Sequence, residues 1–143
     1  MINSYTYTHT VETDVSPEVI WSLYEDVTTW PSWDAQAELI TRDGPFEAGT
    51  TGTMKFVGQE SLSYRLAKVE RLHEFVDETP VGALVVRVSH LLTPPLPDGR
   101  LRIDYSAEID GPEDQAQQVG PMITADFPDT MASLIALAKE RSS

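Results

Sequence analysis

The side chains best suited to acid–base chemistry near neutral pH are two histidines and a tyrosine, each in step with apolar residues. His9 alternates in phase with Tyr7 and Val11, His90 with Val86, Val88 and Leu92, and Tyr105 with Ile103 and Ala107. A period of two puts such residues on one face of a strand. Imidazole and phenol groups on an apolar face can orient a carbonyl or phenol and exchange protons with it. The same groups can simply fill volume, each hydrogen-bonded to a neighbour. Tyr64, in phase with Leu62 and Leu66, adds a further inward phenol. His73 falls where the alternation is weak and reads as exposed. Arg65, Arg87, Arg100 and Arg102 all fall in the outward phase. An interior without arginine offers no bidentate clamp for a carboxylate or phosphate, so a neutral ligand is expected.

Other chemistries have no support. The chain lacks cysteine, which removes disulfides, thiolate metal ligands and a Cys nucleophile and suits a reducing cytoplasm. The three histidines are scattered, with no His-x-x-x-His pair, so no metal and no cofactor are expected. There is no Gly-x-Ser-x-Gly elbow and no Gly-rich phosphate loop. The net charge is -13, from 10 Lys+Arg and 23 Asp+Glu. Such a surface repels nucleic acid and anionic membrane. Met1-Ile2-Asn3-Ser4 carries no signal-peptide pattern, and no apolar run suffices for a membrane helix. A length of 143 residues fits one domain, residues 1–143.

The elements that must position these residues follow from pattern. Tyr5 to Val15 alternates as a half-buried strand. Ser16-Pro17-Glu18 opens a helix with an N-cap, a first-turn proline and an acidic residue at the positive helix end. It should end near Asp26, and a short second helix is expected over Thr28 to Asp34. Strands follow over Ala37 to Arg42, Thr50 to Val57, Ser61 to Leu72 with a bulge near Lys68-Val69, and a short, weaker His73 to Thr79. Gly82 to Leu92 and Leu101 to Ile109 form a hairpin across the proline-rich Thr93 to Gly99 turn. Glu113 to about Arg141 reads as one long apolar-striped helix with a break or kink at Gly120-Pro121 and at Pro128. The fold class is therefore α+β: seven antiparallel strands needing a cover, with the C-terminal helix long enough to supply it. Space between a curved sheet and a helix is a natural ligand site.

Three segments carry a family resemblance: Val15 to Trp21, with its small residue, proline and apolar-Trp pair; Asp26 to Trp33, with its Asp, Trp and Trp spacing; and the Gly111-Pro112 start of a kinked apolar helix. With this element order, the chain resembles the START-like, Bet v 1-like (SRPBCC) superfamily, and within it the polyketide cyclase/dehydrase-type proteins. The resemblance implies a helix-grip fold in which the first strand neighbours the last and the last neighbours the sixth. His9, Tyr105 and His90 then project from three adjacent strands as candidate catalytic groups. Tyr7, Trp33, Met54, Phe56, Tyr64, Val88, Ile103, Ile123, Phe127 and Met131 are the candidate ligand-lining residues; the methionines suit a pocket that accepts several shapes. Trp33 also fits a purely structural cover, as does Trp30. Two readings stay open. One is a carrier of a small hydrophobic molecule, such as an aromatic, quinone, isoprenoid or lipid chain with one polar end. The other is a cyclase, aromatase or dehydratase acting on a poly-carbonyl substrate. A protein-docking role needs a contiguous exposed apolar patch, which the polar outward phases do not provide. The resemblance also implies pairing into a homodimer.

Overall fold

A computed structural model describes residues 4–93 and 96–142. Met1 to Asn3, and Pro94 and Pro95 of the expected turn, lie outside the described residues. Strand β1 (Tyr5–Thr13) leads to α1 (Pro17–Glu25), a single 3-10 turn (Val27–Thr29) and α2 (Trp30–Trp33). Six strands follow: β2 (Ala37–Arg42), β3 (Thr51–Phe56), β4 (Leu62–Glu70), β5 (Glu74–Val81), β6 (Leu84–Thr93) and β7 (Leu101–Asp110). Two helices close the chain, α3 (Glu113–Thr124) and α4 (Phe127–Arg141).

All seven strands form one antiparallel sheet in the order β1-β7-β6-β5-β4-β3-β2. Only β1 pairs out of sequence, so the sheet is a meander with its first strand carried to the far edge. Ser16 caps α1 as its hydroxyl accepts the Val19 amide at 3.4 Å. Ile20, Trp21, Leu23 and Tyr24 of that helix are buried. The bulge lies at Ala67, where the β4–β5 register shifts between Leu66 and Lys68, one residue before the expected place.

The C-terminal helix breaks once. The interruption falls at Ala125-Asp126, and Pro128 occupies the first turn of α4. There its missing N–H costs nothing, because first-turn amides lack intrahelical partners. Pro121 lies within α3 and does not end it. Pro121 and Gln117, whose carbonyl loses its partner, are both exposed, so water can serve that carbonyl.

Two strand glycines mark close approaches. On β3, Gly52 pairs with Arg42 of β2 and Tyr64 of β4. The Tyr64 ring lies over it and its hydroxyl donates to the Thr41 carbonyl at 2.7 Å. A Cβ here would meet Thr41 O at 2.1 Å and the ring at 2.6 Å. Gly52→Ala should therefore cost about 1–3 kcal/mol through overpacking, read as a lower denaturant midpoint with an unchanged slope. In α3, Gly120 lets the Tyr5 ring approach to where its own Cβ would be, 2.4 Å away.

The outer face carries the arginines. Arg65 pairs with Glu78 at 3.1 Å, Glu78 with Arg87 at 2.8 Å, and Arg87 with Asp110 at 2.5 Å. Arg100 pairs with Glu12 and Asp98, and Arg102 with Asp104. These partly exposed pairs add little stability individually. Their structural consequence is that four cations are committed to the face away from the helices.

Candidate ligand cavity and its buried acid–base groups

Helices α3 and α4 lie against the β1 edge of the sheet: Tyr5 packs on Gly120 and its hydroxyl meets Thr124 at 3.1 Å. The Tyr7 ring meets Phe127 edge-on, with centroids 6.0 Å apart. The helices thus cover β1 directly and leave room over the middle of the sheet. A cavity of about 500 Å³ fills that room. Its walls come from β2 to β7 on one side, β4 contributing only Leu62, and from α2, α3 and α4 on the other. Exposed Gln36, Gln59, Met122 and Ala125 form its mouth; buried Trp30, Trp33, Asp77, His90 and Tyr105 form its inner end.

Of the expected lining residues, Trp33, Met54, Phe56, Val88, Ile123 and Phe127 line this cavity, as do His90 and Tyr105. Tyr7, Tyr64, Ile103 and Met131 do not: they pack into the apolar core around it. His9 stands apart from the other two candidate acid–base groups. It shares a rung with the other two, since His9 pairs with Tyr105 and Tyr105 with His90. Yet His9 is absent from the lining, because the C-terminal helices cover its strand. His73 is exposed.

His90 is held by aromatic packing. Its ring stacks on Phe75 at 3.9 Å and 5°, and Tyr105 and Tyr24 stand edge-on at 4.7 and 5.5 Å. Nδ1 lies 3.3 Å from the Phe75 carbonyl. A carbonyl only accepts, so Nδ1 carries the hydrogen and Nε2 presents a lone pair. Burial drives the pKa of His90 down to about 3, which keeps the ring neutral in the physiological range.

Asp77 was not anticipated, and it changes the chemistry. It is 6 % exposed, lines the cavity, and points Oδ2 at His90 Nε2 across 3.9 Å. That gap exceeds a hydrogen bond. With His90 neutral it is no ion pair, and one ligand atom can bridge the two groups. Burial raises the pKa of Asp77 to about 7. The hydroxyls of Tyr24 and Tyr105 are near enough to influence each other's ionisation but do not complete a hydrogen bond; both are buried without a partner. Burial pushes the Tyr105 phenol well above its usual range, with Tyr24, Asp34 and Asp77 adding to the effect. Asp34, whose Oδ1 accepts the Gln36 amide at 3.0 Å, is raised by burial and by the charge of Asp126. Asp126 is raised by burial and by Asp129. The lining therefore holds three carboxyl groups, and no Lys or Arg among the described residues.

A signal for Asp77 exists in the sequence. Phe75, Asp77 and Thr79 alternate against Val76, Glu78 and Pro80. They pair across with His90, Val88 and Val86 respectively, all of which share the inward phase. The apolar Val76 blurred the alternation, and β5 is longer than the expected short strand.

A seven-stranded antiparallel sheet, short helices after its first strand and C-terminal helices closing over a cavity make up a helix-grip fold. Solved structures agree. The chain resembles a norcoclaurine synthase point mutant from Thalictrum flavum in complex with a transition-state analogue, with TM-score 0.76 and 19% identity over 97% of this chain and 96% of that one. It also resembles the Zhui aromatase/cyclase from Streptomyces sp. R1128, with TM-score 0.79 and 9% identity over 97% and 96%. A hypothetical protein of Helicobacter pylori gives TM-score 0.79 and 14% identity over 95% and 89%. At these identities the likeness is one of fold. No curated protein sequence is significantly similar. The chain belongs to the polyketide cyclase/dehydrase and lipid transport family, whose match spans residues 4–139. No helix among the described residues is long and apolar enough to cross a membrane.

Proposed function

We propose that the chain binds a small, mostly hydrophobic molecule in the cavity, with its polar end at Asp77, His90 and Tyr105. One observation carries this reading: a cavity of about 500 Å³ with largely apolar walls and a few convergent buried polar groups at its inner end. Ligand sites have this size and composition. The family's description, which includes lipid transport, supports it. With no Lys or Arg in the described lining, a carboxylate or phosphate end has no partner. The neutral ligand expected from the outward arginines is thereby widened to any end that is not anionic.

Val88→Trp tests the reading, because Val88 is half-buried and lines the cavity. A naphthalene-bearing probe titrated against tryptophan fluorescence should bind wild type and lose at least about tenfold in affinity in the variant, as expected when a filled pocket rejects its ligand. Equal binding by a folded variant would place the probe elsewhere and sink the reading.

A second reading is a cyclase or dehydratase acting on a poly-carbonyl substrate. The observation favouring it is Asp77, whose pKa of about 7 suits a group that must both give and take protons. Its position opposite His90 would let one substrate atom touch both. The cavity would hold the chain in a reactive fold.

A further inference from the structure

We propose that the cavity selects a ligand whose polar end is an organic cation, such as a protonated amine, over an alcohol or acid of the same shape. The inference rests on the ligand-binding reading above and specifies the ligand's charge.

Four observations point the same way. Asp34, Asp77 and Asp126 line the cavity without a Lys or Arg among the described lining residues. Asp77 is 6 % exposed, and no donor among the described residues hydrogen-bonds its carboxyl. A buried carboxyl without donors is costly unless something entering the cavity supplies them. The Tyr105 hydroxyl, of the same lining, is also buried and unpartnered, and both Asp34 and Asp77 act on it electrostatically. Finally, Trp30, Trp33, Tyr105 and Phe127 all contribute to the walls, and aromatic faces attract cations.

An ammonium head matches this set. Its three N–H donors can serve Asp77, the Tyr105 oxygen and His90 Nε2 together, and all three accept. An alcohol has one donor. A carboxylate has none and is repelled by three acidic side chains. Burying an ammonium is costly unless it is paired, and here the paired carboxyl is already desolvated. His90 does not compete as a cation, because its ring stays neutral. The ligand's apolar body then lies against Met54, Phe56, Val88 and Ile123 toward the mouth.

The test uses 2-naphthylethylamine, 2-naphthylethanol and 2-naphthylacetate, which share one ring system and differ in end charge. The amine should bind about tenfold more tightly than the alcohol, the factor given by one charge-assisted hydrogen bond, and the acid more weakly than either. Asp77→Asn should bring amine and alcohol to within about threefold, the residue of the aromatic and remaining carboxylate terms. A second measurement needs no variant. At pH 7, calorimetry in two buffers of different ionisation enthalpy should show proton release as the amine binds, because its charge drives Asp77 to ionise. The alcohol should take protons up, because it further desolvates the carboxyl. Equal or tighter binding of the alcohol, proton uptake with the amine, or a preference that survives Asp77→Asn each overturns the cation while leaving the cavity as a binding site. Failure of all three probes to bind overturns both.

Discussion

Asp77→Asn and His90→Phe should change the pH dependence of stability in opposite directions. Asp77 has its folded pKa raised to about 7 by burial, against about 3.9 in an unfolded chain. The folded state therefore holds this proton more tightly. The stability that goes with it is complete below about pH 4 and is lost as pH rises through 7, a swing of about 4 kcal/mol. His90 has its folded pKa depressed to about 3, against about 6.5 unfolded. Its contribution is complete above about pH 6.5 and is lost as pH falls toward 3, by about 5 kcal/mol. In the wild type the two slopes overlap between about pH 4 and 6.5 and largely cancel. Asp77→Asn leaves the histidine slope uncovered, so stability should rise with pH up to about 6.5 and then level. His90→Phe leaves the aspartate slope, so stability should fall between about pH 4 and 7. Urea denaturation across pH measures this, and subtracting the wild-type curve cancels every shared group and leaves the deleted group's own slope with its sign reversed: a rise between about pH 4 and 7 for Asp77→Asn and a fall between about pH 3 and 6.5 for His90→Phe. Parallel curves for variant and wild type would show that the group concerned does not titrate from a dry site.

Phe75→Ala should cause a large loss of stability, about 3–5 kcal/mol. The ring is fully buried and meets four aromatic side chains of the core: Tyr24 at 4.9 Å, Phe46 at 5.2 Å, Trp30 at 5.8 Å and Trp21 at 6.3 Å. On its other side it is the platform for His90. Removing it opens a void between α1, α2 and β5 and frees the imidazole to turn. The melting temperature should fall by roughly 10 °C or more. The shielded ring-proton shifts of His90 in NMR spectra should move toward solvent values. Phe75→Leu keeps most of the volume and should lose less stability while still unstacking the ring. A loss below about 1 kcal/mol in Phe75→Ala would mean that the site collapses without it and that the stack does not hold His90.

Local pattern determined much of this protein. The seven strands, the Ser16 cap, the outward arginines and the inward phases of His90 and Tyr105 are all consequences of period, capping chemistry and turn residues, which act over a few positions. Placing His9, Tyr105 and His90 on adjacent strands needed the family's strand order as well, and the register agrees. What only the tertiary structure decided is which inward residues face open space and which face a neighbour. His9 and Tyr7 point the way the alternation says, yet α3 and α4 lie on β1 and leave the space over the middle of the sheet. The break at Ala125-Asp126 belongs to the same decision, since either proline satisfied the local rule and packing chose between them. Asp77 was hidden for the complementary reason. A carboxyl on an inward phase reads as a sheet-pattern error until the strands beside it are known, because the cost of burying it depends on what surrounds it. Once β5 is paired to β6, the same residue becomes the acidic end of the cavity.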